Sequence, residues 1–119
     1  QLYVSTFYQE GGSPEFDDGI KAWLNEDSTA MTNNGGNDTI AAVTAMGYDA
    51  YYVALEALKA AGSTDAGAVK AALPGVTYTG VTGVIAFDDI GDAIRDTAYI
   101  KVADTANSAW ALETMQKAG

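Results

Sequence analysis

The sequence contains no cysteine and no histidine among its 119 residues. Without cysteine the chain forms no disulfide, offers no thiolate nucleophile and cannot bind zinc or an iron–sulfur cluster through sulfur. Without histidine it lacks the commonest general base and the commonest transition-metal ligand. A Ser-His-Asp or Cys-His hydrolase site therefore cannot be assembled from this chain alone, and we expect no cofactor.

Basic residues are also scarce. Six lysines and arginines stand against sixteen aspartates and glutamates, so the formal net charge is −10. Nucleic acids and anionic membrane surfaces are bound by clustered basic side chains. The composition therefore disfavours both, and we expect no nucleic-acid partner. No run of about 18 apolar residues occurs, so no membrane-spanning helix is predicted.

The apolar content is sufficient for one modest core. Hydrophobic residues make up 48% of the chain and aromatic residues 10%. They are spread through the whole chain, which argues against disorder, and the length is that of one domain. Because the sequence opens on strand-forming residues at Gln1 without an initiator methionine, we expect a processed or excised piece of a longer protein.

The first half predicts one strand and then helices. Residues 2–8 are rich in Tyr, Val, Thr and Phe and predict a strand. Ser13 followed by Pro14 is typical of a helix start. The apolar stripe of this helix has helical spacing and consists of Phe16, Ile20, Trp23 and Leu24. Its acidic residues, Asp17 among them, are predicted to lie on the opposite, solvated face.

A long loop, a long helix and a short helix are predicted next. Residues 25–38 are mostly Asn, Asp, Ser, Thr and Gly, which predicts a loop. The long central helix is predicted from about residue 39 to residue 61, capped by Asp38 or Thr39 and ended by Gly62. A third helix is predicted over residues 65–73.

After residue 75 the apolar pattern alternates with a period of two. Strands are predicted over residues 84–87 and 97–103, and residues 109–115 are a candidate third. Residues 99–102 are predicted to alternate in burial. The order of one strand, three helices and two or three strands predicts an α/β fold.

No motif for catalysis or metal binding stands out. Residues 88–92, Asp-Asp-Ile-Gly-Asp, superficially resemble a calcium loop, but the glycine comes too early and strands flank the segment. We interpret them as a hairpin turn, and residues 80–83 as a turn before a strand. The chain also contains adjacent pairs of acidic residues. Neighbouring side chains on a helix do not face one another, so we interpret these acidic side chains as solvated.

In order, the segments resemble one known family. The resemblance rests on residues 47–50 (Gly-Tyr-Asp-Ala), the Ala-rich helix after them, residues 61–65 (Ala-Gly-Ser-Thr-Asp) and residues 80–88 (Gly-Val-Thr-Gly-Val-Ile-Ala-Phe-Asp). This order is similar to the carboxyl-terminal third of the periplasmic solute-binding proteins of branched-chain amino-acid ABC transporters. The resemblance covers nearly the whole chain and implies part of a type I periplasmic-binding-protein fold.

The resemblance implies a function in binding, without catalysis. The whole protein would hold a small amino acid between two lobes and deliver it to an ABC permease, and residues 1–119 would be its carboxyl-terminal part. It implies a periplasmic or extracellular location, held at the membrane by a lipid anchor or by the permease. Alone, the chain is expected to expose apolar surface and to self-associate or swap elements.

The resemblance places four residues of this chain at the ligand cleft. Phe7 and Tyr8 stand at the end of the first strand, and Tyr48 and Asp49 stand on the long helix. Asp49 either accepts a hydrogen bond from the ligand ammonium or holds a neighbouring segment of the chain. Tyr48 either covers an apolar ligand side chain or packs between the lobes.

Two other classes of function stay open. The first is the extracellular ligand-sensing domain of a receptor, which uses the same fold. The second is a small enzyme that runs on carboxylate, tyrosine and lysine side chains. The departure from the family lies in residues 28–37, which replace its usual short basic, proline-containing stretch.

Overall fold

A computed structural model describes residues 1–118 of the chain. Its helices are α1 Pro14–Glu26, α2 Ser28–Asn33, α3 Ala42–Ala61 and α4 Ala66–Ala72, followed by a 3-10 turn at Leu73–Gly75. Its strands are β1 Tyr3–Thr6, β2 Tyr78–Gly80, β3 Gly83–Phe87, β4 Ala93–Ile94, β5 Thr97–Asp104 and β6 Ala109–Lys117. This order confirms the predicted mixed α/β class.

The strands form two separate antiparallel sheets of three strands each. The first sheet has the order β1-β5-β6, with Thr6 opposite Tyr99 and Tyr99 opposite Met115. The second has the order β2-β3-β4, and its β2–β3 hairpin pairs Gly80 with Gly83. Helix α3 packs against α4, β2 and the 3-10 turn. We call β2–β4 together with the four helices the helical part.

The molecule is elongated. Its radius of gyration is 16.7 Å and its principal dimensions are 51 × 39 × 20 Å, whereas a compact domain of this length has a radius of gyration of about 13–14 Å. The chain passes between the β1-β5-β6 sheet and the helical part twice, once between β1 and α1 and once between β4 and β5. The two parts are thus joined by two connections.

The main apolar cluster lies in the helical part. It consists of the buried residues Tyr8, Phe16, Ile40 and Ala45, with Ile20, Ala42 and Val81 packed against it. Burial of such side chains stabilises a fold by roughly 1.5–3 kcal/mol each. The cluster fixes the end of the first connection, at Tyr8, against helices α1 and α3.

Helix α3 begins at Ala42, later than the predicted start near residue 39. The Ile40 backbone N–H donates to the Glu10 Oε1 at 2.7 Å, and the Asn34 amide donates to the Thr39 carbonyl at 2.9 Å. These bonds, one local and one to a residue 30 positions away, hold Thr39 and Ile40 outside the helix. The predicted end is confirmed, because Gly62 has a φ of 60° and closes the helix in the left-handed conformation.

The prediction of a continuous loop over residues 25–38 is wrong, because helix α2 occupies part of it. The Asp27 carboxylate accepts from the backbone N–H groups of Thr29 and Ala30 at 2.8 and 3.0 Å. This side-chain cap satisfies two free amides of the first turn. The described chain therefore has four helices where three were predicted.

Two short strands were also not predicted. Strands β2 and β4 have three and two residues, which is too short for a periodic pattern. The described strands after the helices therefore number five, where two or three were predicted. The predicted turn over residues 88–92 is present, and the Asp88 carboxylate accepts from the Ile90 and Asp92 N–H groups.

The predicted alternation of burial over residues 99–102 is wrong. All eight residues of β5 are half-buried. Alternation requires one covered and one open face, whereas both faces of the β1-β5-β6 sheet are partly open. Large apolar side chains in this sheet or next to it are exposed, as the resemblance implied for the chain alone: Leu2, Tyr3, Val4, Trp110, Leu112 and Met115. Among residues 1–118, no helix has the length and apolar character needed to cross a membrane.

Candidate functional site

Asp49 lies in the middle of helix α3, and none of its surface is exposed (0%). Its Oδ1 accepts a hydrogen bond from the Val81 N–H at 2.9 Å, and its Oδ2 accepts from the Thr82 N–H at 2.8 Å and from the Thr82 hydroxyl. These donors replace the water that a carboxylate loses on burial. Asp49 thus binds helix α3 to the turn between β2 and β3.

Gly80 makes this contact possible. A β-carbon built on Gly80 would lie 2.2 Å from the Asp49 Oδ1 and 2.3 Å from its Cγ. No side chain larger than a hydrogen atom fits at that distance unless the Asp49 carboxylate or the backbone shifts. The glycine at the end of β2 therefore allows the turn to approach the carboxylate.

Arg95 extends this contact to the connections between the two parts. Its Nη1 donates to the Thr82 hydroxyl at 2.8 Å and to the Thr82 carbonyl at 3.2 Å. Its guanidinium carbon lies 5.5 Å from the centre of the Phe7 ring, a cation–π distance. We call Asp49, Thr82, Arg95 and Phe7 the Asp49 network. The network links the chain after β1 to the chain after β4.

Tyr8 and Asp17 form a second buried contact. The Tyr8 hydroxyl donates to the Asp17 Oδ1, and the Gly11 N–H donates to the Asp17 Oδ2 at 2.6 Å. Burial raises the pKa of the Tyr8 hydroxyl well above its ordinary value, and the hydrogen bond to Asp17 raises it further. The prediction that Asp17 lies on a solvated face is wrong, because the chain after β1 folds back over the first turn of α1.

A row of aromatic rings continues from Tyr8 along helix α3. Successive ring centres are 5.5, 4.8, 5.0 and 6.2 Å apart. In order, the rings belong to Tyr8, Phe16, Tyr48, Tyr52 and Tyr78. We call them the aromatic row. Its first two rings are buried, and Tyr48 is 39% exposed.

A cavity of about 400 Å³ lies between the β5–β6 hairpin and the helical part. Its lining consists of Gln9, Glu10, Thr39, Lys101, Ser108, Ala109 and Trp110. Both walls carry polar side chains, and the sheet wall adds one indole ring. We call it the hairpin cavity. None of its lining residues was predicted from the sequence to bind a ligand.

The four predicted ligand-binding residues lie in two pairs, Phe7 with Asp49 and Tyr8 with Tyr48. The first pair belongs to the Asp49 network and the second to the aromatic row. Phe7 and Tyr48 are 40% and 39% exposed, whereas Tyr8 and Asp49 are buried. Both polar groups of the buried residues bond to the protein, which gives Tyr8 and Asp49 structural contacts. Ligand binding by the four residues stays a prediction.

Sequence reasoning missed Arg95 and the partners of the buried acids. The contact between Asp49 and Thr82 spans 33 positions, and no local pattern reveals such a pair. One usable signal was the glycine at position 80 beside a buried helix, since glycine permits close backbone approach. Within residues 1–118, no cluster of three or more acidic side chains is arranged to hold a metal ion.

Comparison with known proteins gives a structural match over nearly the whole chain. No family model matches the chain, and no curated protein sequence matches it. A leucine-binding protein, LivK from Thermotoga maritima, matches 98% of this chain with 26% identity and a TM-score of 0.67. The match covers 31% of that protein, so this chain spans about a third of its length. The likeness shows that the chain has the fold of a part of a type I periplasmic binding protein.

Proposed function

We propose that this chain is the carboxyl-terminal part of a two-lobed solute-binding protein that holds an amino acid of the branched-chain type between its lobes. The observation that carries the proposal is the likeness to a leucine-binding protein over 98% of the chain. The matched structure is a binding protein and not an enzyme, which supports a function in binding without catalysis.

The arrangement of the two parts supports this proposal. Small-molecule sites often lie between domains. Here the β1-β5-β6 sheet and the helical part are joined by two connections, with the hairpin cavity between them. The contact between Phe7 and Arg95 brings the two connections together. In the proposed protein, the sheet belongs to one lobe and the helical part to the other.

The exposed apolar face of the sheet fits the same proposal. Trp110, Leu112 and Met115 are 47–50% exposed on one strand. Exposed apolar patches of this kind usually mark a surface that another part of a structure covers. In the proposed protein, the rest of the same lobe covers these side chains.

A thermal-shift screen of the full-length polypeptide against the twenty amino acids tests the proposed function. A ligand that binds only the native state raises the melting temperature as its concentration rises. Leucine, isoleucine or valine is expected to give the largest rise. A melting temperature that stays constant with all twenty would contradict the proposal.

We also propose that the full-length protein is exported and delivers its solute to an ABC permease. The resemblance to the solute-binding proteins of ABC transporters supports this step, and the likeness to a leucine-binding protein agrees with it. Uptake of labelled leucine by cells with and without the gene tests it. Equal uptake by both strains, at a leucine concentration below saturation, would contradict a function in import.

A further inference from the structure

The first connection between the two parts narrows to a single residue, Phe7. Strand β1 of the sheet ends at Thr6. Two residues later, Tyr8 is already buried in the apolar cluster of the helical part, and its hydroxyl donates to Asp17. Phe7 is therefore the residue at which the chain passes from the sheet to the helical part.

The second connection narrows to Arg95 in the same way. Strand β4 of the helical part ends at Ile94. The Asp96 carbonyl accepts a hydrogen bond from the Ala118 N–H at 2.7 Å, which continues the pairing of β5 with β6. The backbone of Asp96 thus already belongs to the sheet, and Arg95 is the residue between the two parts.

The two residues at which the chain passes between the parts also contact each other. The guanidinium carbon of Arg95 lies 5.5 Å from the centre of the Phe7 ring. The residues on either side of both positions are held by the sheet or by the helical part. A rotation of one part relative to the other therefore has to change backbone dihedral angles at or next to these two positions.

The guanidinium group is held from the helical side. The Arg95 Nη1 donates to the Thr82 hydroxyl at 2.8 Å and to the Thr82 carbonyl at 3.2 Å. The same hydroxyl donates to the buried Asp49 carboxylate of helix α3. Arg95 takes part in neither of the two salt bridges found within residues 1–118. The Phe7 ring thus meets a fixed cation that has no carboxylate partner in the described chain.

The Phe7 ring is able to leave this cation. Phe7 is 40% exposed and is not a member of the apolar cluster that contains Tyr8. The ring can therefore move away without disrupting that cluster. In the orientation seen here, the ring lies at the guanidinium and both parts border the hairpin cavity. The contact therefore stabilises the orientation in which the two parts enclose one space.

We propose that Arg95 is a positioning residue that holds the two proposed lobes in their solute-binding orientation through its contact with Phe7. This inference rests on the proposed function, because that proposal assigns the sheet and the helical part to separate lobes. It requires no contact between Arg95 and the solute. When the orientation that binds is populated less, the apparent affinity falls by the same fraction.

Calorimetry with leucine on the full-length polypeptide tests this inference. Arg95→Gln removes the cation and is expected to raise the dissociation constant about 2- to 5-fold, which corresponds to the loss of one exposed cation–π contact. Arg95→Lys keeps a cation and is expected to bind leucine more tightly than Arg95→Gln. Lys70→Gln removes an exposed charge from α4 and is expected to leave the dissociation constant unchanged.

A double-mutant cycle on the dissociation constant separates positioning from direct contact with the solute. Phe7→Leu removes the ring and keeps an apolar side chain. The double variant with Arg95→Gln is expected to bind no more weakly than Arg95→Gln alone, because both changes remove the same contact. Additive effects would overturn the inference, since the two residues would then act independently.

Two further outcomes are decisive for the binding measurements. An arginine contact that only stabilised the fold would lower the melting temperature and leave the dissociation constant unchanged, and that result would overturn the inference. If Arg95→Gln does not fold, Phe7→Leu is compared with Phe7→Tyr, which keeps the ring. Equal dissociation constants of these two variants would overturn it as well.

The orientation itself is measured without solute. Small-angle X-ray scattering of the solute-free full-length polypeptide is expected to give a larger radius of gyration for Arg95→Gln than for the wild type and for Lys70→Gln. An unchanged radius of gyration would overturn the inference. Tight leucine binding that Arg95→Gln leaves unchanged overturns the role of Arg95 and leaves the proposed function standing. If no amino acid binds the wild type, the proposed function fails, and the scattering then decides the role of Arg95 separately.

Discussion

Asp49 of helix α3 and Gly80 of strand β2 are so close that a β-carbon on Gly80 would lie 2.2 Å from the Asp49 Oδ1. The two residues are separated by thirty-one positions in the sequence, and their approach allows the Asp49 carboxylate to reach the N–H groups of Val81 and Thr82. This contact joins helix α3 to the β2-β3-β4 sheet. The first two predictions test it.

Gly80→Ala is expected to lower the free energy of unfolding by about 1–3 kcal/mol, because the added methyl group overlaps a buried carboxylate. Urea denaturation measures the change. Gly47→Ala is the matched control, since it lies on α3 with nothing within 4 Å of an added β-carbon. This control is expected to raise the free energy by about 0.5–1 kcal/mol. Equal stability of the two variants would contradict the overlap.

Asp49→Asn keeps the shape of the side chain but replaces one acceptor oxygen with a donor. At least one of the N–H groups of Val81 and Thr82 then faces an amide nitrogen, and we expect a loss of about 1–3 kcal/mol. Asp18→Asn, at an exposed position of α1, is expected to change stability by less than about 0.5 kcal/mol. The melting curves of both variants check this. A melting temperature that Asp49→Asn leaves unchanged, together with weaker solute binding, would favour the ligand role of Asp49.

The Tyr8 hydroxyl is expected to make stability depend on alkaline pH. Burial, and then the bond to Asp17, raises the pKa of Tyr8 in the folded state above its unfolded value near 10. The raised pKa means that the folded chain retains this proton more strongly. The stabilisation is therefore complete below pH 10 and is lost as the pH rises beyond it.

Tyr8→Phe tests this dependence. At pH 8 the variant is expected to be less stable by about 1 kcal/mol, because Asp17 loses a hydrogen-bond donor. Above pH 10 the difference from the wild type is expected to shrink, because only the wild type carries this ionisable hydroxyl. Urea denaturation at pH 8, 10 and 11 measures it, and a difference that stays constant would show that the Tyr8 pKa is not raised.

The contact between Phe7 and Arg95 is expected to couple the two connections. A double-mutant cycle with Phe7→Leu and Arg95→Gln should give an interaction energy of about 0.5–1 kcal/mol, which is typical of a cation–π pair. The same cycle with Lys70→Gln in place of the arginine variant should be additive, since Lys70 lies on α4. Additivity of the Phe7 and Arg95 variants would show that the ring and the guanidinium do not interact.

Local signals in the sequence predicted most of the elements. The helix end at Gly62 was predicted from the glycine that follows the helical pattern. Strand β5 was predicted from the alternation of residue types in its sequence. Both lie where they were predicted. The start of α3 was misplaced because a distant carboxylate, that of Glu10, binds the N–H of Ile40. A side chain 30 positions away leaves no periodic trace at the start of a helix.

The candidate site was less predictable than the fold for the same reason. The resemblance supplied Tyr48 and Asp49 as residues of interest, but not the turn that Asp49 binds or the ring that Tyr48 contacts. The hairpin cavity depends on how a sheet and a helical part meet across two connections. In the sequence, nothing distinguishes Lys101 from other strand residues. Only the fold shows that Lys101 lines a cavity together with Gln9.

Calorimetric titration of the full-length polypeptide with leucine tests the central claim most directly. The account predicts saturable heat at a stoichiometry close to one leucine per chain, because one site lies between the two proposed lobes. It also predicts a negative heat-capacity change, because the apolar side chain of leucine is buried on binding. Absence of saturable heat with leucine, isoleucine and valine would contradict the assignment of this chain to a branched-chain amino-acid-binding protein.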